Sequence, residues 1–254
     1  FQSAPPEPGF KLSALGLVGP WGSRRIQASA SGIHTRTEYL ANLTFNRYDG
    51  FRTDPTDPSG ATYGASRRVR FNGTLSTPLG GGVISAVVNG VSLDAENPGS
   101  LSDSLLALGD RQAYRFNVLS QTDKQVGQGQ VGLTWDWTGA THGAEVGAWG
   151  LGRSVDSRIP GTVIDLDRRA GGIRAALVRA GRGVRPMEVT AGLEGQFQRD
   201  DRINFRNEGG ETGSRTRDQI ERVSTIGPFL GLSWAATQRL SLSGAVRYDF
   251  YQLE

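Results

Sequence analysis

Between residues 185 and 198 the chain reads RPMEVTAGLEGQFQ, and its apolar and polar positions alternate. Met187, Val189, Ala191, Leu193 and Phe197 fall on one side, and Glu188, Thr190, Glu194, Gln196 and Gln198 on the other. A period of two belongs to an extended strand, because successive side chains of a strand point to opposite faces; a helix would mix the two sets. The stretch is long beside the roughly five or six residues of an ordinary strand. It suits a tilted strand that crosses an apolar band about 25 Å tall.

The same test succeeds repeatedly. Residues 36–47 put Tyr39, Ala41, Leu43 and Phe45 opposite Asn42, Thr44 and Asn46. In 67–76, Val69, Phe71 and Leu75 oppose Arg68, Arg70, Asn72 and Thr74. Val131, Leu133, Trp135 and Trp137 oppose Gln130, Thr134 and Asp136, and Leu240, Leu242, Val246, Tyr248 and Phe250 oppose Ser241, Ser243, Arg247 and Asp249. Weaker alternation marks 10–18, 23–32, 82–94, 143–154, 165–178 and 219–235, where Gly and Ala dilute it and Trp149 falls on the wrong parity. The pattern predicts about eleven strands.

From the third strand onward the connections are predicted as long (48–66), short (77–82), long (92–123), short (137–142), medium (154–165), short (179–185), long (199–218) and short (235–239). One end of the sheet is tight and the other carries loops, as in membrane barrels with short turns on one side and longer loops on the other. Backbone groups in hydrocarbon must be paired internally, so long antiparallel strands with an apolar outer band belong to a sheet closed on itself. The opposite face carries Arg70, Asp136, Glu188, Glu194, Arg247 and Asp249, too many charges for a dry core but acceptable in a hydrated lumen. The expected fold is all-β, an antiparallel transmembrane β-barrel. Trp135, Trp137, Trp234, Tyr39 and Tyr248, near strand ends, fit interfacial girdles.

Composition sharpens this. Glycine supplies 36 of 254 residues and hydrophobic residues only 37%, thin for a conventional core but spaced in register, which a disordered chain would not need. No apolar run approaches the length of a spanning helix, and no signal peptide is recognisable. The chain does not begin with Met, which suits a mature chain or a fragment. Without cysteine there is no disulfide framework or thiolate chemistry. Net charge is +3, and of the 28 basic residues only Lys11 and Lys124 are lysine. Arginine suits bidentate contacts to carboxylate or phosphate, although a codon bias explains the preference equally well.

Three stretches resemble a known family. YDGFR, residues 48–52, is similar to the D-G-Y/F-R segment that follows an early barrel strand in TonB-dependent outer-membrane siderophore receptors. NPGSLSDSLLALGDRQA, residues 97–113, resembles their P-G-S-L segment in the third extracellular loop, and the closing LSLSGAVRYDFY resembles their R-Y-D strand. The resemblance runs over nearly the whole chain and covers the barrel portion only. It implies a barrel of twenty-two strands, of which this chain would be the first half, filled by an N-terminal plug domain not present here. It also implies uptake of ferric siderophores or similar iron complexes at the bacterial outer membrane, with TonB acting through the missing N-terminal region and outer-membrane lipid around the barrel. On that reading the chain is neither an enzyme nor in need of a cofactor.

Candidate ligand-contacting residues are Arg52, Arg111, Tyr114 and Arg115 in the loops and Arg70 and Arg247 in the lumen. Asp49, Gly50, Pro98, Gly99, Ser100 and Leu101 form loop-shaping sets, with local turn formation the plainer reading against direct ligand contact. Gly50 would permit a positive φ, and Arg52 would be free to pair an acid. The lumen residues Arg68, Arg70 and Arg247, with Glu188, Glu194 and Asp249, would form cross-strand ion pairs or contact a plug. His34 and His142 lie at short turns without partners for metal or catalytic work. GGG at 80–82 and GQGQVG at 127–132 precede no helix and are not phosphate loops. Basic residues are not interleaved with stacking aromatics, so nucleic acid is not an expected partner. The alternatives are a complete small barrel serving as a passive pore or outer-membrane enzyme, and a soluble two-sheet β protein with ligand-binding loops.

Overall fold

The alternating segments become one antiparallel sheet in the computed structural model, which describes residues 7–107, 111–181, 185–237 and 239–254. Its long strands are β1 (Gly9–Val18), β2 (Arg24–His34), β3 (Thr37–Tyr48), β6 (Ser66–Leu79), β7 (Gly82–Glu96) and β8 (Asp123–Thr138). They continue through β9 (His142–Ile159), β10 (Thr162–Ala180), β11 (Met187–Glu208) and β12 (Glu211–Ala235) to β13 (Ser241–Arg247) and β14 (Phe250–Leu253). The last two pair with successive parts of β12, so they act as one strand interrupted at Tyr248–Asp249. Each long strand therefore pairs with its sequence neighbour in an eleven-strand meander. The short β4 (Arg52–Thr53) and β5 (Thr62–Tyr63) form a separate ribbon.

The register explains the alternation. One row of directly paired residues crosses the whole sheet: Phe10, Gly32, Tyr39, Leu75, Ala86, Leu133, Ala148, Ile173, Gly195, Ile226 and Phe250. Every member is apolar or glycine. The adjacent row, one residue along and so on the opposite face, holds Glu38, Ser76, Ser85, Thr134, Gly147, Arg174, Glu194 and Gly227. A slip of one residue in any pair would put charges on the apolar face, so the side-chain pattern itself pins the register.

Among the described residues nothing covers the apolar face. Ile173 and Leu177 are each 68% exposed, Leu193 46% and Leu242 50%, and among the described residues the only other sheet is the β4–β5 ribbon. The soluble two-sheet expectation fails on this point, because a sandwich would bury these residues between its layers. The aromatic residues Tyr39, Trp135, Trp137, Trp234 and Tyr248 gather on the apolar face toward the tight-turn end.

The tight turns also drift. The strand ends on that side lie at Thr37, Leu79, Thr138, Ala180 and Ala235, while the shared row passes through Tyr39, Leu75, Leu133, Ile173 and Ile226. Each hairpin thus runs about two residues further past the row than its predecessor, or about one residue of stagger per strand. One residue of rise, about 3.4 Å, against a strand spacing near 4.8 Å tilts the strands by roughly 35°, which is the tilt and shear a closing barrel requires. Closure itself is not formed by the described residues, since β1 and β13–β14 each pair on one side only.

Three connections differ from expectation. The supposed medium loop 154–165 and long loop 199–218 are strand, extending β9 with β10 and β11 with β12 to tight turns at Gly161 (φ 81°) and at Gly209–Gly210 (φ 68° and 98°). Two successive positive φ angles are what a two-residue hairpin turn needs. Charge marked these segments as loop, but a strand requires paired backbone rather than an apolar face, and cross-strand partners satisfy the charges. Arg168 donates to both carboxylate oxygens of Asp200, at 2.8 and 2.6 Å. The long connection 97–122 holds two single-turn helices, α1 (Asp103–Ala107) and α2 (Arg115–Leu119). Leu108–Asp110 of the PGSL stretch and residues 182–184 of a short turn lie outside the described residues.

Candidate functional site

At the loop end, the two motifs singled out in the sequence meet. Gly50 takes φ 89°, and a Cβ there would lie 2.6 Å from the Tyr63 carbonyl oxygen, so the turn after β3 closes on β5 only with glycine. The hydroxyl of Thr62 donates to the Asp49 carbonyl at 3.0 Å, and Arg47 pairs with the Asp49 carboxylate at 2.9 Å. Among the described residues Arg52 finds no acid: its guanidinium donates to the Gln112 carbonyl at 3.2 Å and lies over the Phe51 ring at 5.2 Å, and its buried Nε has no hydrogen-bond partner among them. The neighbouring backbone sews the loops together, Thr53 N–H donating to the Arg111 carbonyl at 2.9 Å and Ala113 N–H to the Thr53 carbonyl at 2.8 Å.

The PGSL turn is built from its own amides. Gly99 sits at φ 72°, where a Cβ would meet Tyr114 Cβ at 2.8 Å. Its N–H donates to the Asn97 side chain at 3.0 Å, while buried Asn117 donates to the Asn97 carbonyl at 3.0 Å. Pro98 accepts from Tyr114 N–H at 2.7 Å and packs near Gly64. Ser100 is exposed and Leu101 partly buried. Arg111 and Arg115 are exposed, and Tyr114 and Phe116, in ring contact at 5.6 Å, are 47% and 61% exposed. The loop end therefore presents cations and aromatic rings on a scaffold held by internal hydrogen bonds.

Sequence reading missed the residues that lock this scaffold. Asn207, at the tip of the β11–β12 hairpin, donates to the carbonyls of Ser120 at 2.8 Å and Ile159 at 3.1 Å, joining three connections. Tyr63 donates to the Thr122 carbonyl at 3.1 Å. Neither carries a local signal beyond residue type, because their partners are 48 to 87 residues away. Burial, and then the nearby Glu96, Asp123 and Asp54 carboxylates, push the Tyr63 phenol from its ordinary 10 up to about 12. The folded loop favours the neutral phenol. This contribution is fully present below pH 10 and is lost as pH rises toward 12. A tyrosinate absorbance titration should show a late-titrating fraction that Tyr63→Phe removes.

Along the polar face, charge is sorted by height. Toward the loop end lie Arg25, Arg68, Arg70, Lys124, Arg153, Arg168 and Arg202, opposed by Asp200 and Glu221. Toward the turn end lie Glu38, Asp136, Glu145, Glu188, Glu194 and Asp249, with Arg174 and Arg247 among them. Arg174 pairs with Glu145 at 2.9 Å and Glu194 at 3.7 Å; Arg247 pairs with Glu194 at 2.6 Å and Asp249 at 2.8 Å. Arg174 also stacks over Phe229 at 4.4 Å, whose ring lies against Gly192. Of the candidate lumen residues, Arg247 thus sits in an ion-pair cluster with two of the acids named with it. Arg68 and Arg70 stand in the basic half, away from that cluster. Trp149, out of parity in sequence, lies on this polar face with its ring against Gly172.

No protein-family model matches the sequence. Solved structures do match the fold. The ferric citrate transporter FecA in its unliganded form superposes with a TM-score of 0.79 at 12% identity, over 99% of this chain and 39% of that one. The pyoverdine outer-membrane receptor FpvA from Pseudomonas aeruginosa PAO1, bound to pyoverdine, gives 0.75 at 13% identity, over 98% and 41%. The ferric-catecholate import receptor Fiu from E. coli K12, in an open form, gives 0.73 at 12%, over 99% and 46%. The sheet has the β-barrel fold seen in these receptors, and the chain spans less than half the length of each.

Proposed function

We propose that this chain is part of the barrel wall of a bacterial outer-membrane receptor that takes up ferric siderophores or similar iron complexes, driven through TonB. The apolar row faces lipid and the polar rows line a hydrated lumen. The observation that carries this reading is the uncovered apolar row, one residue from each of eleven strands, backed by a charged row and staggered at barrel pitch. In hydrocarbon the open edges of β1 and β13–β14 require further strands to close them, and the resemblance of the two loop motifs supplies the expected context, a longer receptor with a plug. The loop cluster around Arg52, Arg111, Tyr114 and Arg115 then forms the outer surface that a ligand meets first, and transport involves no covalent chemistry by this chain.

Uptake of radioiron complexes by cells expressing the full-length protein tests this. Uptake should be saturable and should stop when the energy-coupling protein or the proton gradient is removed. Linear, energy-independent entry would instead show a passive pore.

A further inference from the structure

The described residues leave the basic half of the polar face with an excess of positive charge. Thr44, Arg70, Val91, Gln128, Arg153, Arg168 and Asp200 stand side by side in one register row from β3 to β11. Within that row Arg168 has the carboxylate of Asp200, which is 3% exposed and held in a two-point pair, and Glu221 continues the row beside Asp200 on β12. Among the described residues, Arg70 and Arg153 have no ion pair, and Arg153 Nε is buried without a hydrogen-bond partner. Arginine cannot discharge its proton to relieve such a setting, and a buried donor without an acceptor is unfavourable. One row nearer the turn end, Asn42, Asn72, Asn89 and Gln130 add a stripe of neutral donors and acceptors.

Three strand spacings of about 4.8 Å separate Arg70 from Arg153, or about 14 Å along the row. That is the breadth of a compact metal chelate with several oxygen groups. A wall with an excess of one charge sign concentrates ions of the other. At the turn end the two arginines are already engaged by Glu145, Glu194 and Asp249, and the remaining acids repel an anion. An anionic solute is therefore held at the loop half.

We infer that Arg70 and Arg153 bind the carboxylate or phenolate oxygens of a net-negative metal chelate, and that this wall selects anionic over neutral complexes. The inference rests on the transport reading above and names the charge class of its cargo.

Binding to the full-length protein in detergent, read by tryptophan quenching at low and physiological salt, tests it with three probes: ferric citrate, a ferric tris-catecholate and a neutral ferric tris-hydroxamate. At least one anionic complex should bind tenfold or more tightly than the neutral one, and the gap should shrink with salt. The double variant Arg70→Gln/Arg153→Gln should lose at least tenfold for the anion and keep its affinity for the neutral complex, with a melting temperature no lower than that of the unsubstituted protein. Equal or tighter binding of the neutral complex overturns the inference while leaving iron-complex uptake standing. So does a variant that changes stability but not affinity, which would assign the wall to an acidic part of the protein itself. If no iron complex binds, iron-free citrate and tripolyphosphate separate the two ideas. Arginine-dependent binding of those anions keeps the anionic wall and removes the iron-receptor reading, and no binding removes both.

Discussion

Leu193→Arg should destabilise the full-length protein in phospholipid vesicles by about 2–4 kcal/mol, the cost of an arginine on the lipid face near the bilayer midplane. Leu193 lies on the uncovered apolar face of β11, paired with Ala175 and Pro228. Its charge would have to leave hydrocarbon by snorkelling along a strand whose neighbours on that face are Ala191 and Gly195, neither able to pair it. Gln196→Arg, three residues on and on the polar face, should fall within about 0.5 kcal/mol, as substitutions away from packed or strained features do. Reversible denaturant unfolding measures both, and equal costs would contradict the assignment of faces.

Gly50→Val should undock the loop cluster. The residue holds φ 89°, and a Cβ would stand 2.6 Å from Tyr63 O and 2.9 Å from Tyr63 C, both backbone atoms with no rotamer to yield. Forcing a β-branched residue into such a conformation costs on the order of 1–3 kcal/mol before the clash is counted. The strain falls on the β4–β5 ribbon, which a few hydrogen bonds tie to 111–113. Limited proteolysis should then cut between 54 and 61 at least tenfold faster, while the melting temperature of the sheet stays within a few degrees. Cleavage at the wild-type rate would show that the Gly50 turn does not hold the loops.

The strands were legible because lipid-like and water-like surroundings impose a period of two, and β11 between Met187 and Gln198 follows it almost without interruption. Where both faces of a strand meet water the signal disappears. Residues 199–208 and 211–218 therefore read as loop although they are paired strand, and only the Gly209–Gly210 turn marks the hairpin. Trp149 appeared misplaced because a large ring on the polar face is tolerated where Gly172 leaves room, a fact about another strand. The DGFR and PGSL motifs were visible as turns, but their meeting depends on contacts such as Tyr63 to Thr122 that no local pattern records. Arg247 carried two expectations in sequence, a cross-strand ion pair with the nearby acids and a ligand contact. Register brings it to Glu194, 53 residues away, and pairing occupies it, whereas the same register leaves Arg153 without an ion pair among the described residues.

The central claim is that alternate residues of these strands meet lipid and water. The chain has no cysteine, so single cysteines at successive positions from 171 to 177 on β10 can be spin-labelled in the full-length protein and reconstituted into phospholipid vesicles. Oxygen, which concentrates in hydrocarbon, should collide most with labels at 171, 173, 175 and 177, and a water-soluble nickel complex should collide most at 172, 174 and 176. A profile without that two-residue alternation, or with nickel favoured at 173 and 177, would contradict the account.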